Sequence, residues 1–325
     1  MKQSIGKRDR NKELQGPYPV SDKKLMRPFL DRPGFLLARI DQIATVIFGN
    51  LCDTVTLNQA EFLLLLDRVG PMIQIALAEA AGVDKSTTAY ILDNLQNRGL
   101  IERKVRAEDR RSSLIALTDA GSALIPAVAE SFVSLQTQLE APLDPLRKPL
   151  LIDMLRRLGA NPESAGPVWR TACDPQEGVL DQALSFLCRR VLQLMQAQFL
   201  TSTKGYNLSL RQFSLLHLLK HRETLTQIEF ARIFGLDPAT CGVIIRGALR
   251  RNLVAGQPCP QDRRARRYHL TEEGRNVLQS LHPVVDRSEN IVFDTEQKNI
   301  RPVFIGQLQA IIREYSYLLR FPGAL

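Results

Sequence analysis

Arginine dominates the chemistry available to this chain. Residues 246–267 hold seven arginines against one acid, Asp262, and residues 98–111 hold six basic groups against three acids. Both stretches contain Asp-Arg-Arg, at 109–111 and 262–264. A guanidinium carries a permanent charge and a planar fork of donors that fits phosphate and carboxylate. Two such stretches point to a polyanionic partner rather than to two merely solvated faces. Arginine also occurs in a second setting, on apolar stretches with helical spacing: Phe35-Leu36-x-x-Arg39-x-x-Gln42 and Phe186-Leu187-x-x-Arg190-x-x-Gln193. There it can grip a carboxylate bidentately, or pair with an acid such as Asp41.

Other chemistries find little footing. There is no P-loop, G-x-G-x-x-G, H-E-x-x-H or G-x-S-x-G, and the four histidines (His217, His221, His269, His282) lack ligand spacing. An enzyme is not expected, and neither is a cofactor. Five cysteines without a C-x-x-C pair argue against a disulfide framework and a structural zinc. The first residues have no apolar signal region, and no apolar run approaches the roughly 18 residues of a membrane helix. The expectation is a reduced, cytoplasmic protein without a membrane partner.

These residues must be positioned by repeated elements. Of the 325 residues, 76–121 fall on 229–274 at an offset of 153 without a gap, with 13 of 46 positions identical. Upstream, Phe35–Gln42 fall on Phe186–Gln193 at an offset of 151, so two residues enter between the blocks, in the turn near Gly70. The segment 159–179, rich in Gly, Pro, Ser and Asn, reads as a linker. The organisation expected is a flexible basic tail (1–27), a first unit (28–158), the linker, and a second unit (180–325). Net charge is +9, divided as +5 over 1–33, −2 over 34–160, −2 over 161–179 and +8 over 180–325.

Each unit reads as mainly α with a small β-wing. A helix over 34–53 shows apolar residues at helical spacing. A second helix follows, with Asn58 as N-cap and Glu61 completing a capping box. A short helix, Gln74–Ala81, stops at Gly82, and Asp84 caps the next, Lys85–Arg98. Helix, glycine turn and capped helix form a helix-turn-helix. Leu100–Arg103 and Leu114–Leu117 predict a hairpin wing. Thr118 then caps Asp119–Glu140, and Leu143–Leu158 makes a last helix.

In order and spacing, PGFLLARIDQ, LNQAEF, GVDKSTTAYILDNLQNRGLIER, DRR and LTDAG resemble the MarR family of bacterial transcriptional regulators over most of 33–158. Leu208–Phe213, GLDPAT, RRNLV and QDRRARRYHLTEEG carry a looser resemblance over about 180–315. The resemblance implies two winged helix-turn-helix units with intertwined terminal helices. Family members are usually homodimers, so a fused pair acts as an intrachain pseudo-dimer. It also implies a repressor that binds double-stranded DNA and is released by a small aromatic or phenolic effector, carboxylated ones included.

The docking geometry of such motifs assigns DNA contact to Lys85, Ser86, Thr87, Thr88 and Tyr90 in the first recognition helix, and to Thr240, Arg246 and Arg250 in the second. The wings add Arg103, Arg106, Arg110 and Arg111, and Arg263, Arg264 and Arg266, with tip arginines suited to the minor groove. Cys241, Gly242 and Gly247 weaken the second recognition helix, each helical glycine costing about 1 kcal/mol against alanine. The first unit is therefore expected to specify and the second to clamp. The effector site implied is Arg39 and Gln42, with Arg190 and Gln193 in the mirror position and His217 as a polar contact. Two alternatives stand beside this reading: a winged-helix scaffold for protein partners, and a redox sensor using Cys52, Cys188 or Cys241, the last near a helix N-terminus where a thiolate is favoured.

Overall fold

The computed structural model describes residues 27–105, 113–160, 180–259, 262–292 and 300–319. The first unit contains α1 (Pro33–Leu51), α2 (Leu57–Val69), β1 (Met72–Ile73), α3 (Gln74–Ala81), α4 (Lys85–Asn97), β2 (Ile101–Val105), β3 (Ser113–Leu117), α5 (Asp119–Glu140) and α6 (Lys148–Gly159). The second contains α7 (Leu184–Ser202), α8 (Leu210–His221), β4 (Leu225–Thr226), α9 (Gln227–Phe234), α10 (Pro238–Arg250), β5 (Val254–Cys259), β6 (Asp262–Leu270), α11 (Glu272–Val292) and α12 (Arg301–Tyr315). Each wing is an antiparallel hairpin widened by a two-residue strand, in the orders β1-β3-β2 and β4-β6-β5. The sequence reading missed that third strand, because two residues are too few to show a period.

Local chemistry sets most boundaries as expected. Gly82 ends α3 in the left-handed conformation (φ 60°), and Asp84 caps α4 by accepting from the amides of Ser86 and Thr87. Thr118 caps α5 by accepting from the amide of Gly121. That glycine is a close approach: a Cβ there would lie 2.0 Å from the Leu100 carbonyl oxygen, and one at Gly274 would lie 1.9 Å from that of Leu253. The glycine that recurs after each wing thus lets the long helix cross the strand entry.

Two expectations need correction. The N-cap of α2 is Thr56, whose hydroxyl and amide exchange hydrogen bonds with Gln59, not Asn58 with Glu61. Thr56 is the last extended residue, so Asn58 already lies inside the helix. The second unit repeats this box with Ser209 and Gln212. Hence the offset is already 153 at the start of α2 and α8, whereas α1 and α7, both 19 residues long, stand 151 apart. The two extra residues therefore enter between α7 and α8, around the 3-10 turn Lys204–Tyr206, and not near Gly70.

The cores do not follow the sequence boundaries. The larger core joins Leu36, Leu37 and Ile40 of α1 to Phe186, Leu187 and Val191 of α7 and to Phe304, Leu308 and Ile311 of α12. Tyr315 of α12 donates its hydroxyl to the carbonyl of Gln138 in α5, and Gln309 donates to that of Leu30. Conversely, Phe29, ahead of α1, is buried in the second unit's core beside Phe213 and Phe234. Flanking helices of the two units thus pack through each other. By length and composition α1 alone among the described helices could cross a membrane; here Leu36, Ile40, Ile43 and Phe48 are buried against protein.

Candidate nucleic-acid interface and effector cavity

The exposed face of α4 is set by its cap and its core stripe. Ile91, Leu92 and Leu95 point inward, which turns Lys85, Ser86, Thr87 and Tyr90 to solvent; Tyr90 is 71% exposed, unusual for so large a ring. Thr88 is a correction: it is fully buried on the core stripe, so it cannot meet a base. Ser86 and Thr87 bond the Asp84 carboxylate through both amide and hydroxyl, which holds that carboxyl down at about 2. Their hydroxyls are oriented by the cap while staying on the surface.

Arg103 needs a second correction. Its guanidinium donates to Asp93 Oδ1 at 2.7 Å and to Gln96 Oε1 at 2.6 Å, both on α4. It braces the wing against the recognition helix instead of reaching away from the protein. Arg106, Arg110 and Arg111 lie outside the described residues. Arg98 and its counterpart Arg251 bond backbone carbonyls ahead of α2 (Thr54) and α8 (Tyr206, Asn207), so part of the positive charge beside each wing is structural.

On α10, Thr240, Arg246 and Arg250 are exposed, with Val243 where α4 has Tyr90 and Arg246 where α4 has Asp93. The two faces therefore differ in charge at matched positions. Gly247 has a packing reason: a Cβ there would lie 2.6 Å from Gln212 Nε2 of α8. Arg266 is exposed on β6 and donates back to the Gly256 carbonyl. Arg263 and Arg264 belong to β6, and their side chains are outside the description.

A cavity of about 80 Å³ lies between α1, α7, α8 and α11, lined mainly by Phe29, Phe35, Phe199, Phe213 and Phe234, with Arg211 and His217 among its polar groups. Phe29 packs its ring edge-on against Phe234 at 5.0 Å and His217 at 5.1 Å. His217 is buried, meets His282 at 3.1 Å, and is pushed down to about 3, chiefly by burial and then by Arg32 and its histidine neighbours.

Arg39 is 2% exposed and makes no ion pair with Asp41; among the described residues it has no carboxylate partner. It bonds Gln42 Oε1 at 3.3 Å, leaves Nε unpaired, and lies over the Phe35 ring. Burial, and next the nearby Arg211, pull it down to about 10. Arg39 Nη1 lies 2.6 Å from where a Cβ of Gly235 would be, and Gln42 Nε2 donates to the Phe234 carbonyl. Both thus touch the turn between α9 and α10 in the other unit. Two arginines line the cavity, Arg32, which is paired with Asp286 and Glu289, and Arg211. The sequence reading missed Arg211 because it stands outside the repeated Phe-Leu-x-x-Arg motif, where the first unit has Asn58.

The mirror residues behave differently. Arg190 is buried and donates through Nε to the Gly159 carbonyl while its Nη1 is left unpaired, it is not among the residues lining the cavity, and Gln193 is half-buried on α7. Cys52, Cys188, Cys241 and Cys259 are all buried. Burial, then Asp237, pushes the Cys241 thiol up to about 11, against the thiolate expected at that helix start. Cys188 is pushed up further, by burial and then by Asp41.

The MarR family model matches residues 55–113, and a second MarR family model matches residues 206–265. The chain belongs to the MarR family. Its form is tandem, with one match in each unit. The HTH-type transcriptional repressor NicR of Pseudomonas putida is 28% identical over 152 residues, covering 46% of this MarR chain and 90% of NicR. Among solved structures, a probable transcriptional regulator from Pseudomonas aeruginosa is 30% identical, with a TM-score of 0.36, over 38% of this chain and 95% of that one. CouR from Rhodococcus jostii, bound to p-coumaroyl-CoA, is 26% identical, with a TM-score of 0.38, over 41% and 94%. The tandem MarR protein is thus a member of a family of transcriptional regulators, and each of these relatives spans about one of its units.

Proposed function

We propose that the protein is a cytoplasmic repressor that binds double-stranded DNA as an intrachain pseudo-dimer and releases it when a small aromatic acid binds. The observation that supports this most directly is the pair of capped recognition helices, each carried beside a wing, with Lys85, Thr87 and Tyr90 free on one and Thr240, Arg246 and Arg250 free on the other. Two such helices suit the two half-sites of one operator. NicR, a named repressor, supports the sign of regulation.

The two faces support a division of labour. Thr87 and Tyr90 offer a hydroxyl and a ring for base edges, while Arg246, Arg250 and the arginines of 263–266 supply phosphate affinity. The cavity beside Arg211 supports the effector reading, and the contacts of Arg39 and Gln42 with the Phe234–Gly235 turn provide a route from ligand to α10.

Fluorescence anisotropy with duplexes selected from random sequence tests the proposal. Affinity should fall steeply with salt, as expected when bound phosphates release counterions. Arg263→Ala and Arg250→Ala should weaken all duplexes alike and flatten the salt slope, by about one for each phosphate no longer neutralised. Thr87→Ala should instead change which sequences are preferred. Equal effects of all three variants would remove the division of labour, and salt-independent binding would remove the DNA reading.

A further inference from the structure

Superposing the repeat in register brings the cavity onto an equivalent region of the first unit, and the residues there are not equivalent. Where the second unit presents Arg211, Ser214 and His217 on α8, the first has Asn58, Glu61 and Leu64 on α2. On the facing helices, Ala38 of α1 corresponds to Arg189 of α7, and Leu192 corresponds to Asp41.

These exchanges have a common effect. At the first unit's α2, Arg189 of α7 pairs with Glu61 and bonds Asn58. Glu61 is fully buried, and Arg189 lies over the Phe186 ring. Burial raises the Glu61 carboxyl, and the neighbouring Arg189 charge opposes that shift. The arrangement is a carboxylate held by a guanidinium beside a phenyl ring. In the second unit Ser214 stands where the first has that carboxylate and Ala38 where it has the arginine, and a cavity opens between them; the carboxylate that does line it, Glu289, is held by Arg32 at 3.0 Å. Arg211 borders that cavity, its guanidinium without a carboxylate or hydrogen-bond partner among the described residues, and burial lowers its pKa.

We propose that the chain has one effector site, not two: an aromatic carboxylate binds beside Arg211 in the second unit, while the twin site is closed by the chain's own carboxylate, Glu61, bound to Arg189. The inference rests on the effector-responsive function proposed for the protein and adds its stoichiometry, its anion contact and its asymmetry. A ligand carboxylate at Arg211 plays the part that Glu61 plays at Arg189. The ring lies among Phe29, Phe35 and Phe234. The space of about 80 Å³ is below the roughly 150 Å³ that holds a benzene ring, so the lining side chains must give way as the ligand enters. Through Phe234, binding acts on the turn that carries α10, so the clamping unit is the one that responds.

Isothermal titration of the full chain with 4-hydroxybenzoate, salicylate and nicotinate as probes decides the matter. The expected result is one equivalent per chain, weakened at least tenfold by Arg211→Ala and unaffected by Arg190→Ala. The paired variant Ala38→Arg with Ser214→Glu, which copies the first unit's ion pair into the cavity, should abolish binding. The reverse pair, Arg189→Ala with Glu61→Ser, should create a second equivalent. If that reverse pair fails to fold, the first pair and Arg211→Ala still decide. Two equivalents in the native chain, or loss of binding in Arg190→Ala but not in Arg211→Ala, overturns the single-site inference and leaves effector control standing. No binding by any probe, with DNA affinity also unchanged by them, overturns both and leaves the DNA reading intact.

Discussion

Gln42 Nε2 donates to the backbone carbonyl of Phe234, 3.2 Å away, and so ties the first helix of one unit to the helix-turn-helix of the other across 192 positions of sequence. Phe234 is the last residue of α9, and Gly235 then turns through the left-handed region (φ 61°) into Asp237, the cap of α10. A polar side chain on a core-facing helix thereby sets the position of a recognition helix that belongs to the opposite half.

Gln42→Leu should test this tie. The variant loses two hydrogen bonds, the one to the Phe234 carbonyl and the one from Arg39, a change of about 1–3 kcal/mol in stability, measurable by urea unfolding. The larger expected effect is functional: the response of DNA affinity to a bound aromatic acid should shrink several-fold, while DNA affinity without ligand changes less. Gly235→Ala should act on the same turn more severely, because a Cβ would meet both Arg39 Nη1 and Gln42 Oε1 within 3 Å.

Thr88 and Tyr90 make a matched pair on α4. Thr88→Val keeps the buried volume but loses the hydroxyl's long hydrogen bond to the Val83 carbonyl, and should cost about 1 kcal/mol in stability, with DNA selectivity unchanged. Tyr90→Ala removes an exposed ring and should leave the melting temperature within a few degrees of the native value. It should weaken binding to the preferred duplex by about 1–3 kcal/mol, the range for removing one base-stacking or base-edge interaction. Thermal unfolding and anisotropy on the same samples check both.

His217 should make the protein acid-sensitive. Its folded-state pKa lies at about 3, below the ordinary value of 6.5, so the unfolded chain takes up a proton that the folded chain refuses. The stability it contributes is complete above pH 6.5 and is lost as pH falls from there toward 3. At pH 5 the loss is on the order of 1–2 kcal/mol. Arg32, His282 and His221 act on it in the same sense, and a backbone hydrogen bond at Pro28 opposes them; Lys220 acts likewise on His221 and His282, whereas Asp286 opposes it at His282. His217→Leu, the residue found at the matching place in α2, should flatten the denaturation midpoint between pH 7 and 5, followed by circular dichroism.

Gly121 and Gly274 should be equally intolerant of a side chain. Alanine at either would place Cβ about 2 Å from a backbone oxygen that cannot move without breaking the strand entry. Each single variant should lose 3 kcal/mol or more, roughly the upper range for a core clash. A proteolysis assay should show the wing of the altered unit opening first.

Much of the unit was legible in sequence because its signals are local. Asp84 and Thr118 cap helices through their own neighbouring amides, and Gly82 turns the chain because it alone needs no Cβ clearance. Where two local readings compete, the sequence was less decisive: Thr56 and Asn58 are both good caps, and only the backbone shows which one is extended. Thr88 was misplaced for a related reason. It lies between surface residues in the chain, and the 3.6-residue period brings it onto the core stripe with Ile91, Leu92 and Leu95.

The site divides along the same line. By itself the sequence determined that a winged unit occurs twice, that arginine concentrates in the second wing, and that a Phe-Leu-x-x-Arg-x-x-Gln helix opens each half, since all of these are matters of order and offset. Only the tertiary structure decided that Arg39 touches Gly235, that Arg211 rather than Arg190 borders a cavity, and that Glu61 already occupies the matching place in the first half. Those relations arise where α1 and α7 cross between the units. Packing there brings together residues more than 100 positions apart, and a repeat read along the chain carries no record of which half each helix leans upon.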